Sequence, residues 1–237
     1  MTLAQAVEKL QSRFRVYAHA DFDADNPNLC SAAINLAAGE VARECLSLWA
    51  PYSALTLTAG TTMYDFTDST VCAGRVFAPY GVYINGNWLL EMEPNDFQSA
   101  HPTIWTESQT ANPADYCRHS ERQTEIAGPP NSTAVAAANY VMGFRYPSAL
   151  SWPGSQDTEL EGPQTYHDLI VDRAYLTNSL SYGISDEALQ MRALIERTYE
   201  QRRKRHSAEN ASRYRKARRT GAHMGTTRRM VRVGDLF

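Results

Sequence analysis

SDEALQMRALIERTYEQRRKR, residues 185–205, decides how the rest of the chain is read. Ala188, Met191, Leu194, Ile195 and Tyr199 recur at helical spacing and are expected to face a core. Ser185 offers an N-cap hydroxyl, and Asp186 and Glu187 place negative charge at the positive end of the helix dipole. After Tyr199 the apolar stripe stops, yet no Gly or Pro ends the helix. Cations follow instead: Arg202, Arg203, Lys204 and Arg205, then Arg213, Arg215, Lys216, Arg218, Arg219, Arg228 and Arg229. The sequence finishes on Val231, Val233, Leu236 and Phe237. A helix that leaves its own core, turns basic and closes on an apolar tip is expected to reach another molecule.

The charge distribution agrees. The chain holds 23 Lys+Arg and 26 Asp+Glu, a formal net of −3; from Arg192 onward there are 14 and 4, so residues 1–191 carry 9 and 22, a net of −13 against +10. A near-neutral total hides an acidic body and a basic arm. The plain alternative is a solvated basic tail. Such tails also bind nucleic acid, acidic protein surfaces, or the acidic body of another copy.

With 237 residues and 43% hydrophobic composition, the chain has enough apolar material for one large domain or two modest ones. No apolar run approaches the ~20 residues that cross a bilayer, so no membrane partner is expected. Residues 1–15 are amphipathic (Leu3, Ala6, Val7, Leu10, Phe14) and lack the apolar block of a secretory signal, which points to synthesis and retention in a cytoplasm. The sequon Asn131-Ser132-Thr133 is set aside on that ground. Cys30, Cys45, Cys72 and Cys117 form no metal or redox motif. On one helix Cys30 and Cys45 would lie ~22 Å apart, beyond disulfide reach, so buried free thiols are expected.

Asp21-Phe22-Asp23-Ala24-Asp25-Asn26 alternates carboxylates, but a calcium loop needs Gly at its sixth position and Glu at its twelfth, where Ala32 stands. Asn26 reads better as the N-cap of a helix opened by Pro27 and running to about Trp49, with Leu29, Ala32, Ala33, Leu36, Ala37 and Val41 on one face. From Pro51 the period shortens. Leu55–Thr58, Met63–Phe66, Val71–Phe77, Thr103–Trp105, Arg122–Ile126 and Ala134–Arg145 read as strands, and Glu93–Ala100 as a short helix. Val82 to Leu90 around Asn85-Gly86 predicts a tight hairpin, because both turn residues tolerate positive φ. Tyr140, Met142, Phe144 and Tyr146 share one strand face, wide and aromatic. Residues 147–162 read as a solvated linker, and Pro163 opens a helix through Tyr166, Leu169, Ile170, Ala174 and Leu180 to Gly183.

The expected architecture is α+β. It is an antiparallel helical bundle from residues 1–50 and 161–205, a small sheet or sandwich inserted at 51–160, and an extended basic arm at 206–237.

No phosphate loop, dinucleotide fingerprint, zinc-protease motif or nucleophile elbow is present in the sequence. The six histidines show no ligand spacing. Cys117 and His119 are too near in sequence for a thiol–imidazole pair, His167-Asp168 reads as helix surface, and Glu159 and Glu161 as linker acids. Nothing supports an enzyme, a cofactor or a metal. Nucleic-acid binding through the arm is the alternative function: its arginines suit phosphates, but Tyr214 and Phe237 are its only aromatics beyond Tyr199, and the acidic body opposes it.

The order of these features resembles the head-to-tail adaptor (connector) family of tailed bacteriophages, especially adaptors and gatekeepers of short-tailed phages. The likeness rests on the N-terminal helix pair, Leu55–Tyr64, the Val82–Leu90 hairpin, Phe144-Arg145-Tyr146-Pro147 through Leu150, Pro163 through Ile170, and the Ala188–Tyr199 helix running into the arm. Where relatives often carry Pro after the first strand pair, this chain has Asp65-Phe66. The resemblance implies a virion neck protein, made in the host cytoplasm, whose roughly dozen copies form a closed dodecameric ring. That ring would sit under the portal protein, extend the channel through which double-stranded DNA passes, and dock a tail nozzle or other tail component. It implies portal binding for Arg202, Arg203, Lys204, Arg205, Arg213, Arg215, Lys216, Arg218, Arg219, Arg228, Arg229, Val231, Val233, Leu236 and Phe237. It implies contact with the tail or a neighbouring copy for Asn85 and Gly86.

Overall fold

Leu3, Ala6, Val7, Leu10 and Phe14 are all buried, on one stripe of helix α1 (Leu3–Val16), as the sequence periodicity predicts. The computed structural model describes residues 1–16, 22–101, 113–179 and 186–224, with the side chains of the last helix described to Ser212. Asp21, the expected strand at 103–105, Leu180, Gly183 and the Ser185 cap lie outside the described residues. The chain divides into two compact units, one holding residues 1–48 and 147–212, the other built on residues 49–146.

In the helical unit α2 (Pro27–Cys45) starts where expected. Asn26 is extended, its side chain accepts from the N–H groups of Asn28 and Leu29, and Pro27 takes the first turn. It stops earlier than its sequence suggests, because Leu46 adopts a left-handed conformation (φ 50°). Its buried face is also rotated. Cys30, Ala33, Ile34, Ala37, Val41 and Cys45 are buried, whereas Leu29 and Leu36 are exposed with Ala32 between them. Small residues occur on both flanks of this helix, so size alone did not mark the inner one.

Helix α5 (Gln164–Asn178) lies at the centre of this unit, with Leu169, Ile170, Val171, Ala174 and Tyr175 all buried. Lys9 pairs with Asp168 and Arg13 with Asp172, so α1 and α5 run in the same direction, contrary to the all-antiparallel bundle expected from the sequence; the 147–162 segment and the β unit between them leave their relative direction free. Helix α6 (Asp186–Met224) runs back along α5: Arg192 meets Ser179, Arg173 lies over Tyr199, and Asn210 reaches Tyr166. Of the stripe expected on α6, only Ala188 and Tyr199 are buried; Leu194 is exposed.

The segment 147–162 is packed, contrary to its reading as a solvated linker. The Asn35 carboxamide donates to Leu150 O at 2.7 Å and accepts from Leu150 N at 3.0 Å. Leu3 N–H donates to Thr158 O, Leu160 is buried, and Trp152 lies against the helical core. Pro, Gly and acids in sequence signal irregular backbone, and here that backbone finds its hydrogen bonds on α1 and α2. His167 likewise is buried, not on a helix surface.

The second unit holds two small sheets around one core. The first is antiparallel, in the order β1 (Trp49–Ala54), β8 (Tyr140–Arg145), β3 (Val76–Ile84), β4 (Asn87–Trp88). The second is β2 (Met63–Tyr64), β7 (Thr124–Ile126), β6 (Asp115–Arg118), β5 (Leu90–Met92), with β5 and β6 parallel. Short helices α3 (Pro94–Ala100) and α4 (Ser132–Ala136) complete it; α4 occupies the first part of what reads as one long strand, capped by Asn131. Leu55, Tyr64, Phe66, Val76, Val82, Ile84, Tyr116, Ile126 and Val141 meet in the core. Gly143 is required where β3 and β8 cross closely, since a Cβ there would stand 2.3 Å from Ala78 O. Mixed helices and small sheets make the fold α+β.

Candidate functional site

Helix α6 has 39 residues and is held to the helical unit by polar contacts. The Tyr199 hydroxyl donates to Glu44 Oε2 at 2.9 Å. Glu44 also faces Arg203 at 3.5 Å and Arg173 at 3.8 Å, while Arg173 pairs with Glu40 at 2.5 Å. One turn on, the ring of His206 packs against Tyr166, and Asn210 donates to Cys45 O and to Tyr166 Oη. Burial, then the neighbouring Glu44 carboxylate, pushes the Tyr199 phenol well above its ordinary value.

The cations divide along the helix. Arg203 is half-buried and committed to Glu200 and Glu44; Arg205 is exposed and pairs with Glu209; Arg202 and Lys204 are exposed. Helix α6 continues through Arg213, Arg215, Lys216, Arg218 and Arg219, whose side chains lie outside those described. Arg228, Arg229, Val231, Val233, Leu236 and Phe237 lie outside the described residues altogether.

At the other candidate surface Asn85 (φ 47°) and Gly86 (φ 86°) both take positive φ, with Tyr83 opposite Trp88 and Ile84 opposite Asn87. That is the tight turn the sequence predicts. Asn139, buried just ahead of β8, holds it from behind: its Oδ1 accepts from Asn85 N, and its Nδ2 donates to Ala134 O and Ala137 O.

A family model described as SU10 adaptor protein matches residues 1–228. The chain belongs to the SU10 adaptor protein family. No curated protein matches it. As a member of this family it is a structural phage adaptor, a virion component that meets other head and tail components. No helix among the described residues is long and apolar enough to cross a membrane.

The groups weighed as chemistry in this SU10 adaptor family chain have structural places. His119 meets Glu125 at 2.7 Å instead of Cys117, and His101 meets Asp115 at 3.0 Å. Asp25 pairs with Arg15. All four cysteines are free and buried. Burial, with lesser help from acids such as Asp23 and Glu44, pushes the thiols of Cys30 and Cys45 up to about 11 and about 12. Among the described residues no group of His, Cys, Asp and Glu is arranged to hold a metal ion.

The sequence reading missed the polar seam that docks α6. Its signal was present as Tyr199, Arg203, His206 and Asn210 at spacings of four, three and four, a stripe of helical period made of hydrogen-bonding side chains.

Proposed function

We propose that this adaptor forms a ring of copies beneath the portal, extends the DNA channel and docks the tail. In this reading residues 1–48 and 147–212 form the helical bundle of the ring body. The C-terminal arm, including Arg202, Arg203, Lys204, Arg205, Arg213, Arg215, Lys216, Arg218, Arg219, Arg228, Arg229, Val231, Val233, Leu236 and Phe237, is the portal clamp. The Asn85-Gly86 tip faces a tail component or the neighbouring copy.

The observation that carries the reading is helix α6. It extends to Met224, yet only Ala188 and Tyr199 are buried among its described side chains. A long polar helix gains little stability from its own propensity and is completed by a partner. Repeating a modest contact around a ring adds avidity without stronger individual contacts. An acidic body, net −13 over residues 1–191, also disfavours a grip on DNA in transit.

Electron microscopy of the purified protein mixed with tailless capsids tests this. The expected result is a closed ring at one vertex. Protein scattered over the shell, or absent from the vertex, would overturn it.

A further inference from the structure

The outer face of the first sheet carries an unbroken row of aromatic side chains, one from each strand. Trp88 on β4 meets Tyr83 on β3 with ring centroids 5.2 Å apart. Tyr83 meets Tyr140 on β8 at 6.2 Å, and Tyr140 meets Tyr52 on β1 at 6.1 Å. The row faces away from the core: Val82, Ile84 and Val141, which alternate with these residues, are the ones buried inside. A Cβ at Gly81 would come within 3.1 Å of the Trp88 ring, so the glycine lets the indole lie down on the strand. Yet Tyr52 remains 57% exposed and Trp88 48% exposed.

Charge is almost missing from this sheet. The strands read WAPYSA, VFAPYGVYI, NW and YVMGFR, and Arg145, at the end of β8 away from the aromatic row, is their one charged residue. Rows of Tyr and Trp with Met142 beside them and no charge at the centre are the composition of a protein interface core. A nucleic-acid platform would pair such rings with cations, and residues 49–146 hold 4 Lys+Arg against 9 Asp+Glu.

We propose that the aromatic row Tyr52–Tyr140–Tyr83–Trp88 is the face through which one copy of this chain meets a second copy. The charge pattern selects that occupant. Two bodies of net −13 repel each other wherever acids face acids. An uncharged sheet face lets copies approach without placing carboxylate against carboxylate. Because a ring needs unlike surfaces in contact, the row meets a different patch of the neighbour, not its own image. The proposal rests on the ring reading above and names the surface that reading leaves open.

The test uses the full chain assembled on purified portal, with benzoylphenylalanine replacing Tyr52 or, separately, Trp88. Irradiation is expected to give an adduct of two adaptor chains from both positions. Adducts with portal alone, or no adduct from either position, overturn the proposal while a ring seen by microscopy leaves the ring reading standing. Failure to form any ring on portal removes both. In parallel, Tyr52→Ser with Trp88→Ser, both at exposed positions, is expected to weaken adaptor–adaptor association at least tenfold. Wild-type association should persist as salt rises, because no ion pairs hold this face; steep weakening by salt contradicts it.

Discussion

The Asn139 side chain holds the backbone N–H of Asn85 at 3.0 Å, joining the end of one strand hairpin to the start of β8. The same carboxamide donates to Ala134 O at 2.7 Å and Ala137 O at 3.0 Å, so one buried side chain fixes three backbone groups. Asn139→Ala leaves all three to find other partners. A loss of about 2 kcal/mol is expected, within the cost of abandoning buried polar groups. Asn139→Asp keeps the acceptor but sets a carboxylate against two carbonyl oxygens, and is expected to cost more. Urea unfolding of the three proteins measures both.

The pair Arg13–Asp172 lies 2.5 Å apart with the Asp172 side chain 7% exposed. Burial raises the Asp172 carboxyl above its ordinary value, and Arg13 opposes that rise. Arg13→Met leaves a buried carboxylate without its main partner, at a cost of about 3–5 kcal/mol near neutral pH. A carboxyl with a raised folded-state pKa binds its proton more readily folded than unfolded, so the variant's deficit should shrink as pH falls from 7 toward 5. Denaturant midpoints of variant and parent across that range provide the check.

Alkali should loosen the helical unit. Tyr199, Cys30 and Cys45 all have folded-state values raised above their ordinary ones. Above pH 9, and then above 10, the unfolded chain releases protons that the folded chain keeps. Stability contributed by these groups is therefore present at neutral pH and lost as pH rises through that window. Tyr199→Phe keeps the ring over Arg173 but removes the ionisable hydroxyl. Its unfolding free energy is expected to be lower at pH 7 by about 1–2 kcal/mol, and to fall less steeply between pH 9 and 11.

Thiol chemistry offers an independent reading of the same burial. With all four cysteines buried and their thiolates disfavoured, Ellman's reagent is expected to label the native protein slowly at pH 8. Labelling should accelerate in step with unfolding as urea is added. Rapid native labelling at any one cysteine would contradict its placement.

Sequence periodicity served well where burial follows an unbroken pattern. Every core residue expected in α1 is buried, Asn26 and Pro27 open α2, and Asn85-Gly86 makes its turn. It served poorly where small or polar residues do the packing. Alanines on both flanks of α2 hid which side faces inward, so Leu29 and Leu36 are exposed instead of buried. The stripe through Leu194 suggested an apolar dock for α6, while the structure uses Tyr199 on Glu44 and Asn210 on Cys45 O. Residues 147–162 looked like a linker because their partners, Asn35 and the first turn of α1, are more than a hundred residues distant in sequence. The aromatic face was visible in the β8 alternation, but its extension through Tyr83, Trp88 and Tyr52 required the strand order β1-β8-β3-β4.

Portal binding is proposed to reside in the basic C-terminal segment. A chain ending at Ser212 retains Arg203, His206 and Asn210, and with them the contacts of α6 to Glu44, Tyr166 and Cys45. Its affinity for purified portal, compared with that of the full chain, is the most direct measurement. The expected result is a shortened protein that loses only the helical circular dichroism of residues 213–224, still unfolds cooperatively, and shows no detectable portal binding. Binding of equal strength by both proteins would contradict it.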